Sequence, residues 1–323
     1  MSMKKLIIKI VVFVIIIISI DVTLSNLLDM GRPLDYTAFI ESKEEYDKLN
    51  SVDLLILGDS QTADGFIPSV FNAKLGGQAF NYGVYDLSPF EEYYLLKDLI
   101  SRHSQFPKLV VLGMNILMFN YKVTGGRYTP LFIKSPSNLI PLLFKSENFG
   151  SFSLAGRKRY LFNPLIKRLL TGEISTKVRR DVRNIEYGYL QNVKHFSNES
   201  ALDCNKGNTF FSRDFVEQQK VYFIKMILFL KEKNIPFILV NTPKHKTFLN
   251  CMKNRKTYSK YKSTLKEIQR TFNVKVFNED HDLLLEDLND KDFLSGDHLC
   301  YTGARKFSIF FAEHLASLGV KFD

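Results

Sequence analysis

The sequence predicts an α/β fold on a parallel, doubly wound sheet, preceded by an apolar helix and interrupted by a mainly helical insertion. Three observations carry this. Short apolar runs alternate with helix-like stretches from Val52 to Asn115 and again from Asp214 to Leu318. Strands alternating with helices at that spacing need crossover connections, and crossovers imply parallel pairing. The run Leu54–Leu57 has no polar face, as expected of a strand covered on both sides. At 323 residues the chain can bury one large core, or one core plus an insertion.

The N-terminus reads Met1-Ser2-Met3-Lys4-Lys5, then Leu6 to Ile20 with a single Lys9, then Asp21. A basic start before an apolar run is a secretory signal or a signal anchor. The run reaches spanning length, roughly 20 residues, if Lys9 snorkels and the helix continues past Asp21 to about Leu28. No small-x-small cleavage site follows it, so an uncleaved anchor over residues 1–30 is favoured over a removed signal peptide. Lysines on its N-terminal side keep that end in the cytoplasm and place residues 31–323 outside.

Residues 30–50 are polar and mixed, a stalk or docking segment. A strand over Val52–Leu57 ends in Gly58-Asp59-Ser60, and a short helix over Pro68–Leu75 is closed by Gly76-Gly77. Ala79-Phe80-Asn81 is a short strand. Ser88-Pro89-Phe90-Glu91 is a helix start, with serine as cap, proline in the first turn and glutamate completing a capping box. That helix runs to about His103, and Lys108–Leu112 is the next strand. From about 120 to 208 the alternation is lost, and Pro130, Pro136, Pro141 and Pro164 fall there. Alternation resumes with a helix over Asp214–Lys233, a strand over Pro236–Val240 followed by Asn241-Thr242-Pro243, a helix over Tyr258–Phe272 and a strand over Val274–Phe277. A loop leads to His298, and a helix over Thr302–Leu318 closes the chain.

Net charge is +10, concentrated between Arg157 and Arg183, where Arg157, Lys158, Arg159, Lys167, Arg168, Lys177, Arg179, Arg180 and Arg183 face only Glu173 and Asp181. No nucleic-acid motif accompanies this patch, so anionic lipid headgroups or an acidic polymer are the expected partners unless it is simply a solvated helix face. Of the three cysteines, Cys204 and Cys251 are a conceivable disulfide pair beside Cys300. No metal or nucleotide motif is present, and no cofactor is expected.

In an open parallel sheet, ligands bind outside the carboxyl ends of the strands. Four such ends carry polar residues suited to acyl chemistry: Ser60, then Asn81-Tyr82-Gly83, then Gly113-Met114-Asn115, then the Asp297-His298 loop. This ordered set resembles the SGNH/GDSL hydrolase superfamily, whose blocks are Gly-Asp-Ser, a glycine, Gly-x-Asn and a terminal Asp-x-x-His. The anchor, Gly-Asp-Ser-Gln-Thr, and a closing Asp-His-Leu…Gly-Ala…Phe-Ser are similar to the membrane-anchored branch that serves cell-wall D-alanylation and polysaccharide O-acetylation. The resemblance implies a flavodoxin-like three-layer α/β/α fold. It also implies Ser60 as nucleophile, His298 as base, and an oxyanion hole made by the N–H groups of Ser60 and Gly83 and the Asn115 amide. Asp59 would hold the turn. Where the family has its aspartate, three residues before the histidine, this chain has Ser295; either Asp297 or Asp292 stands in, or Ser295 orients the ring weakly, or a Ser–His dyad suffices. Cys300 replaces an asparagine common in the branch.

Two functions of different class follow. One is a membrane-anchored extracytoplasmic serine esterase or O-acyltransferase acting on an acylated glycan or wall polymer. The other is a non-catalytic partner of a membrane-bound acyltransferase or polysaccharide assembly system, with Ser295 and Cys300 as marks of decay. A plain secreted carboxylesterase is disfavoured by the anchor and the basic insertion.

Overall fold

The computed structural model describes residues 3–29, 34–121, 129–145, 182–192, 214–281 and 287–322. Helix α1 (Met3–Asp29) is 27 residues of nearly unbroken apolar sequence, and its side chains from Met3 to Leu24 are largely exposed. Within it, Ser19 and Thr23 return their hydroxyls to the carbonyls of Ile15 and Ser19. Their polar groups are thereby satisfied inside the helix.

Of the two expectations for residues 30–50, stalk or docking segment, the second holds: the segment from Leu34 is folded against the body. Helix α2 (Leu34–Glu44) and a single 3₁₀ turn (Glu45–Lys48) bury Phe39, Lys43 and Tyr46. Its spaced aromatics supply the reason: Tyr46 lies edge-on to Phe80 and Tyr82 of the sheet.

Strand β1 (Leu54–Gly58) leads into α3 (Ser60–Gly65), then α4 (Pro68–Leu75) and β2 (Ala79–Gly83). Helix α5 (Pro89–Arg102) begins as its sequence predicts, the Glu91 carboxylate accepting from both the N–H and the hydroxyl of Ser88. Next come β3 (Leu109–Met114), the short helices α6 (Thr129–Phe132) and α7 (Pro136–Lys145), and an antiparallel hairpin of β4 (Val182–Glu186) and β5 (Tyr189–Asn192). Of the insertion expected to be mainly helical, the described residues form two short helices and this hairpin. The basic residues from Arg157 to Arg180, and Cys204, lie outside the described residues. Helix α8 (Glu217–Glu232), β6 (Phe237–Asn241), α9 (Lys246–Lys253), α10 (Lys256–Phe272) and β7 (Val276–Phe277) complete the sheet and one layer over it. A second hairpin, β8 (Phe293–Ser295) with β9 (His298–Leu299), precedes α11 (Tyr301–Ser317).

The main sheet has the order β2-β1-β3-β6-β7, and every pairing in it is parallel. This is a doubly wound, three-layer α/β/α arrangement. Alternate residues of each strand face opposite layers. Leu55 and Leu57 join the core under α5, α8 and α10, whereas Leu54 and Ile56 join the core under α4 and α11. The chain winds outward in opposite directions from β1 and β3, and in open sheets of this kind the crevice at the carboxyl ends of such strands is where ligands bind.

Candidate active site

Each sheet strand that ends at this crevice delivers a polar residue. Asp59 follows β1 and caps α3, its Oδ1 accepting from the Gln61 N–H at 3.0 Å. Ser60 is the first residue of that helix. The helix lies so close across the strand ends that glycine is required beneath it. A Cβ on Gly83 would sit 2.6 Å from the Ala63 Cα, and one on Gly113 would press 3.0 Å from the Thr62 Cβ. The Asn81 amide staples the same helix to β2, donating to the carbonyls of Thr62 at 3.0 Å and Phe66 at 2.8 Å.

His298 arrives from the other end of the chain on the β8–β9 hairpin. In this tight hairpin Ser295 and His298 are directly paired, with Gly296 and Asp297 as the turn. Directly opposed residues on a hairpin point to one side of it. His298 Nε2 lies 2.8 Å from Ser60 Oγ, and its Nδ1 lies 2.8 Å from Asp297 Oδ1. Ser295 Oγ donates to the same Asp297 oxygen at 2.8 Å and is 3.1 Å from His298 Nδ1. The turn lets neighbours in sequence form a hydrogen-bonded pair, which an extended strand would not. Asp292 plays no such part: its carboxylate binds Lys306 Nζ at 2.8 Å and the Asn289 N–H at 3.0 Å.

The electrostatics suit a hydroxyl that must lose a proton. Burial opposes ionisation of Asp297, but His298, Lys244 and the Ser295 hydroxyl outweigh it and hold the carboxyl well below the usual carboxylate range. An ionised Asp297 fixes the proton of His298 on Nδ1 and leaves Nε2 to accept from Ser60. Asp59 goes the other way, pushed up by burial against the opposing pull of Asn115, His298 and Lys244.

The expected oxyanion donors are placed at the crevice but have internal acceptors. The Gly83 N–H donates to Asn81 Oδ1 at 2.8 Å. The Asn115 amide donates to Asp59 Oδ2, and its nitrogen is 3.4 Å from the Tyr121 hydroxyl. That second contact is long, so one Asn115 N–H is only weakly held. Cys300 is a buried thiol at the cap of α11 that donates to the Lys291 carbonyl at 2.9 Å.

Among known proteins, a family profile that carries no functional description matches residues 203–318, less than half of the chain. No curated protein matches. Solved structures similar to this one include a candidate acylhydrolase from Bacteroides fragilis NCTC 9343, 10% identical, with a TM-score of 0.40 over 86% of this chain and 95% of that one. Another is a mutant of the esterase AlinE4, also 10% identical, with a TM-score of 0.34 over 84% of this chain and 98% of that one. Likenesses this weak add nothing to what the chain's own geometry says.

Two residues at the site escape sequence reasoning, Gln61 and Lys244. Gln61 Nε2 donates to Asp297 Oδ2 at 3.2 Å, and the fully buried Lys244 ammonium donates to Gln61 Oε1. The available signal was position. Asn241-Thr242-Pro243-Lys244 leaves the carboxyl end of β6, an end as well placed for chemistry as those of β1 and β3.

Proposed function

We propose that this protein is a membrane-anchored serine esterase or O-acyltransferase that acts, outside the cytoplasmic membrane, on acyl esters of envelope polysaccharide or wall polymer. The observation that carries the reading is the unbroken relay Ser60–His298–Asp297, with both links at 2.8 Å. Ser60 Oγ attacks the acyl carbonyl carbon as His298 Nε2 takes its proton. The negative charge gathers on the carbonyl oxygen, for which the Ser60 N–H, the Asn115 amide and the Gly83 N–H are the nearby donors. Donors of this kind are worth about 3–4 kcal/mol each to a transition state. His298 returns the proton to the leaving oxygen, and an acyl-Ser60 remains. A glycan hydroxyl or water then gives its proton to the same nitrogen and takes the acyl group, and His298 passes that proton to Ser60 Oγ as the acyl–serine bond breaks. Transfer and hydrolysis differ only in whether water is kept from this second step.

Two further features support the setting. Helix α1 is long and apolar enough to cross a membrane. Cys251 is disulfide-bonded, which fits an oxidising compartment. The polysaccharide substrate rests on the motif resemblance alone.

Full-length protein in detergent, treated with a fluorophosphonate probe or p-nitrophenyl acetate, tests the reading. Labelling or burst release is expected and should vanish in Ser60→Ala and fall by orders of magnitude in His298→Ala. A folded wild type with no Ser60-dependent signal would sink it. One observation favours the second reading, a non-catalytic partner of an acyltransferase: the Gly83 and Asn115 donors face internal acceptors. Donors in free enzymes are often misaligned until substrate binds, so the catalytic reading stands first.

A further inference from the structure

We infer that Lys244 is a positioning residue, whose buried ammonium fixes the Gln61 amide so that it in turn holds Asp297 behind His298. The inference rests on the acyl-transfer reading of the site. Lys244 extends from the end of β6 and is fully buried. Its Nζ donates to Thr242 Oγ1 at 2.8 Å and to Gln61 Oε1, and it lies 3.4 Å from the Asp297 carbonyl. One ammonium thus ties together three elements: the end of β6, helix α3 and the β8–β9 turn.

The chemistry of the donors sets the direction of the relay. An ammonium donates only, whereas an amide donates from nitrogen and accepts at oxygen. With Lys244 on Oε1, Gln61 must present Nε2 to Asp297 Oδ2. That leaves Oδ1 for His298 and Ser295. Without the ammonium the amide is free to turn its oxygen toward the carboxylate, and Asp297 loses the partner of its second oxygen. A carboxylate on a two-residue turn needs such a restraint, because the turn alone leaves its side chain rotatable. Burial pushes Lys244 down to about 8 against the opposing pull of Asp297 and Asp59, so the ammonium form still predominates at pH 7. An isolated buried cation is costly, and a methionine would fill the space without that cost. The charge is therefore better explained by the relay than by the core.

The test is a double-mutant cycle on the full-length protein in detergent, with an activated ester as substrate. Lys244→Met should lower kcat on the order of 10²-fold, the cost of a misplaced catalytic group, with KM nearly unchanged. In the Asp297→Asn background the same change should cost no more than about twofold, because the relay then has nothing to hold. Gln61→Leu should reproduce Lys244→Met, and it carries the cycle if that variant does not fold. Independent, additive losses would overturn the inference, as would an unchanged kcat. If the wild type shows no Ser60-dependent turnover, the acyl-transfer reading fails by itself. The relay is then judged from the His298 Nδ1 proton in spectra of ¹⁵N-histidine-labelled protein. That proton should be downfield and protected in the wild type and lost in Lys244→Met; its persistence in the variant would overturn the relay.

Discussion

At the scale of single residues, the site's unusual feature is that the carboxylate and the imidazole it bonds are neighbours in sequence. Asp297 and Ser295 both reach His298 Nδ1, at 2.8 and 3.1 Å, but they are not equivalent. The carboxylate can balance the charge of an imidazolium, whereas a hydroxyl can only orient the ring. Asp297→Asn should therefore reduce kcat by up to about 10⁴-fold, the scale found when a triad aspartate is neutralised. Ser295→Ala should cost far less, about 1 kcal/mol or roughly fivefold, the net worth of one hydrogen bond. Steady-state rates of the two variants check the order, and equal losses would mean that Ser295 carries the orienting role. Ser60, Gly83, Asn115 and His298 were legible from their ordered motifs at the ends of the sheet strands and near the end of the chain. Gln61 and Lys244 were not, since their contribution lies in which atom of an amide faces which neighbour. No spacing in the sequence encodes that.

At the scale of elements, the sheet was legible and the pieces that cover its edge were not. Apolar runs such as Leu54–Leu57 and Leu109–Leu112, short and bounded by turn residues, fit strands buried on both faces. Helix α2 reads as polar and mixed and the β4–β5 hairpin as part of a mainly helical insertion, yet together they hold β2 through one buried cation. Lys43 Nζ donates to the carbonyls of Asn81 at 2.8 Å and Gly188 at 2.6 Å. Burial lowers its pKa to about 7, against the raising pull of Asp64 and Glu45. Its folded value thus lies below the unfolded value near 10.5. Between those limits the unfolded chain binds more protons than the folded one, so this group makes stability rise with pH. Below about pH 7 both states are protonated and the full penalty of burying the charge is present. Lys43→Met should flatten that rise when unfolding free energy is compared at pH 7 and pH 10. The net change at a single pH is not fixed in sign, because the variant also leaves two carbonyls without this donor. An unaltered slope would show that Lys43 keeps its proton throughout.

At the scale of the whole molecule, α1 and the sheet domain have opposite needs. A 27-residue helix is about 40 Å long, more than the roughly 30 Å of a bilayer's apolar core. Its exposed Ile, Val, Leu and Phe side chains have no place in water, yet near its end Ser25 and Leu28 are buried. With α1 as the proposed anchor, its junction with the body falls between Leu24 and Ser25, not at the last residue of the helix. A chain beginning at Ser25 should be soluble and should unfold at nearly the same temperature as the detergent-solubilised full chain. A cut after Leu28 should lower that temperature, because removing a buried leucine costs about 2–5 kcal/mol. The full chain should stay with membranes after an alkaline carbonate wash, and the Ser25 version should not. Protease added to intact spheroplasts should digest the sheet domain and spare the anchor if the basic N-terminus stays inside. Digestion only after lysis would reverse that orientation, placing the acyl chemistry on the cytoplasmic side and leaving the disulfide at Cys251 in a reducing compartment, where it would not persist.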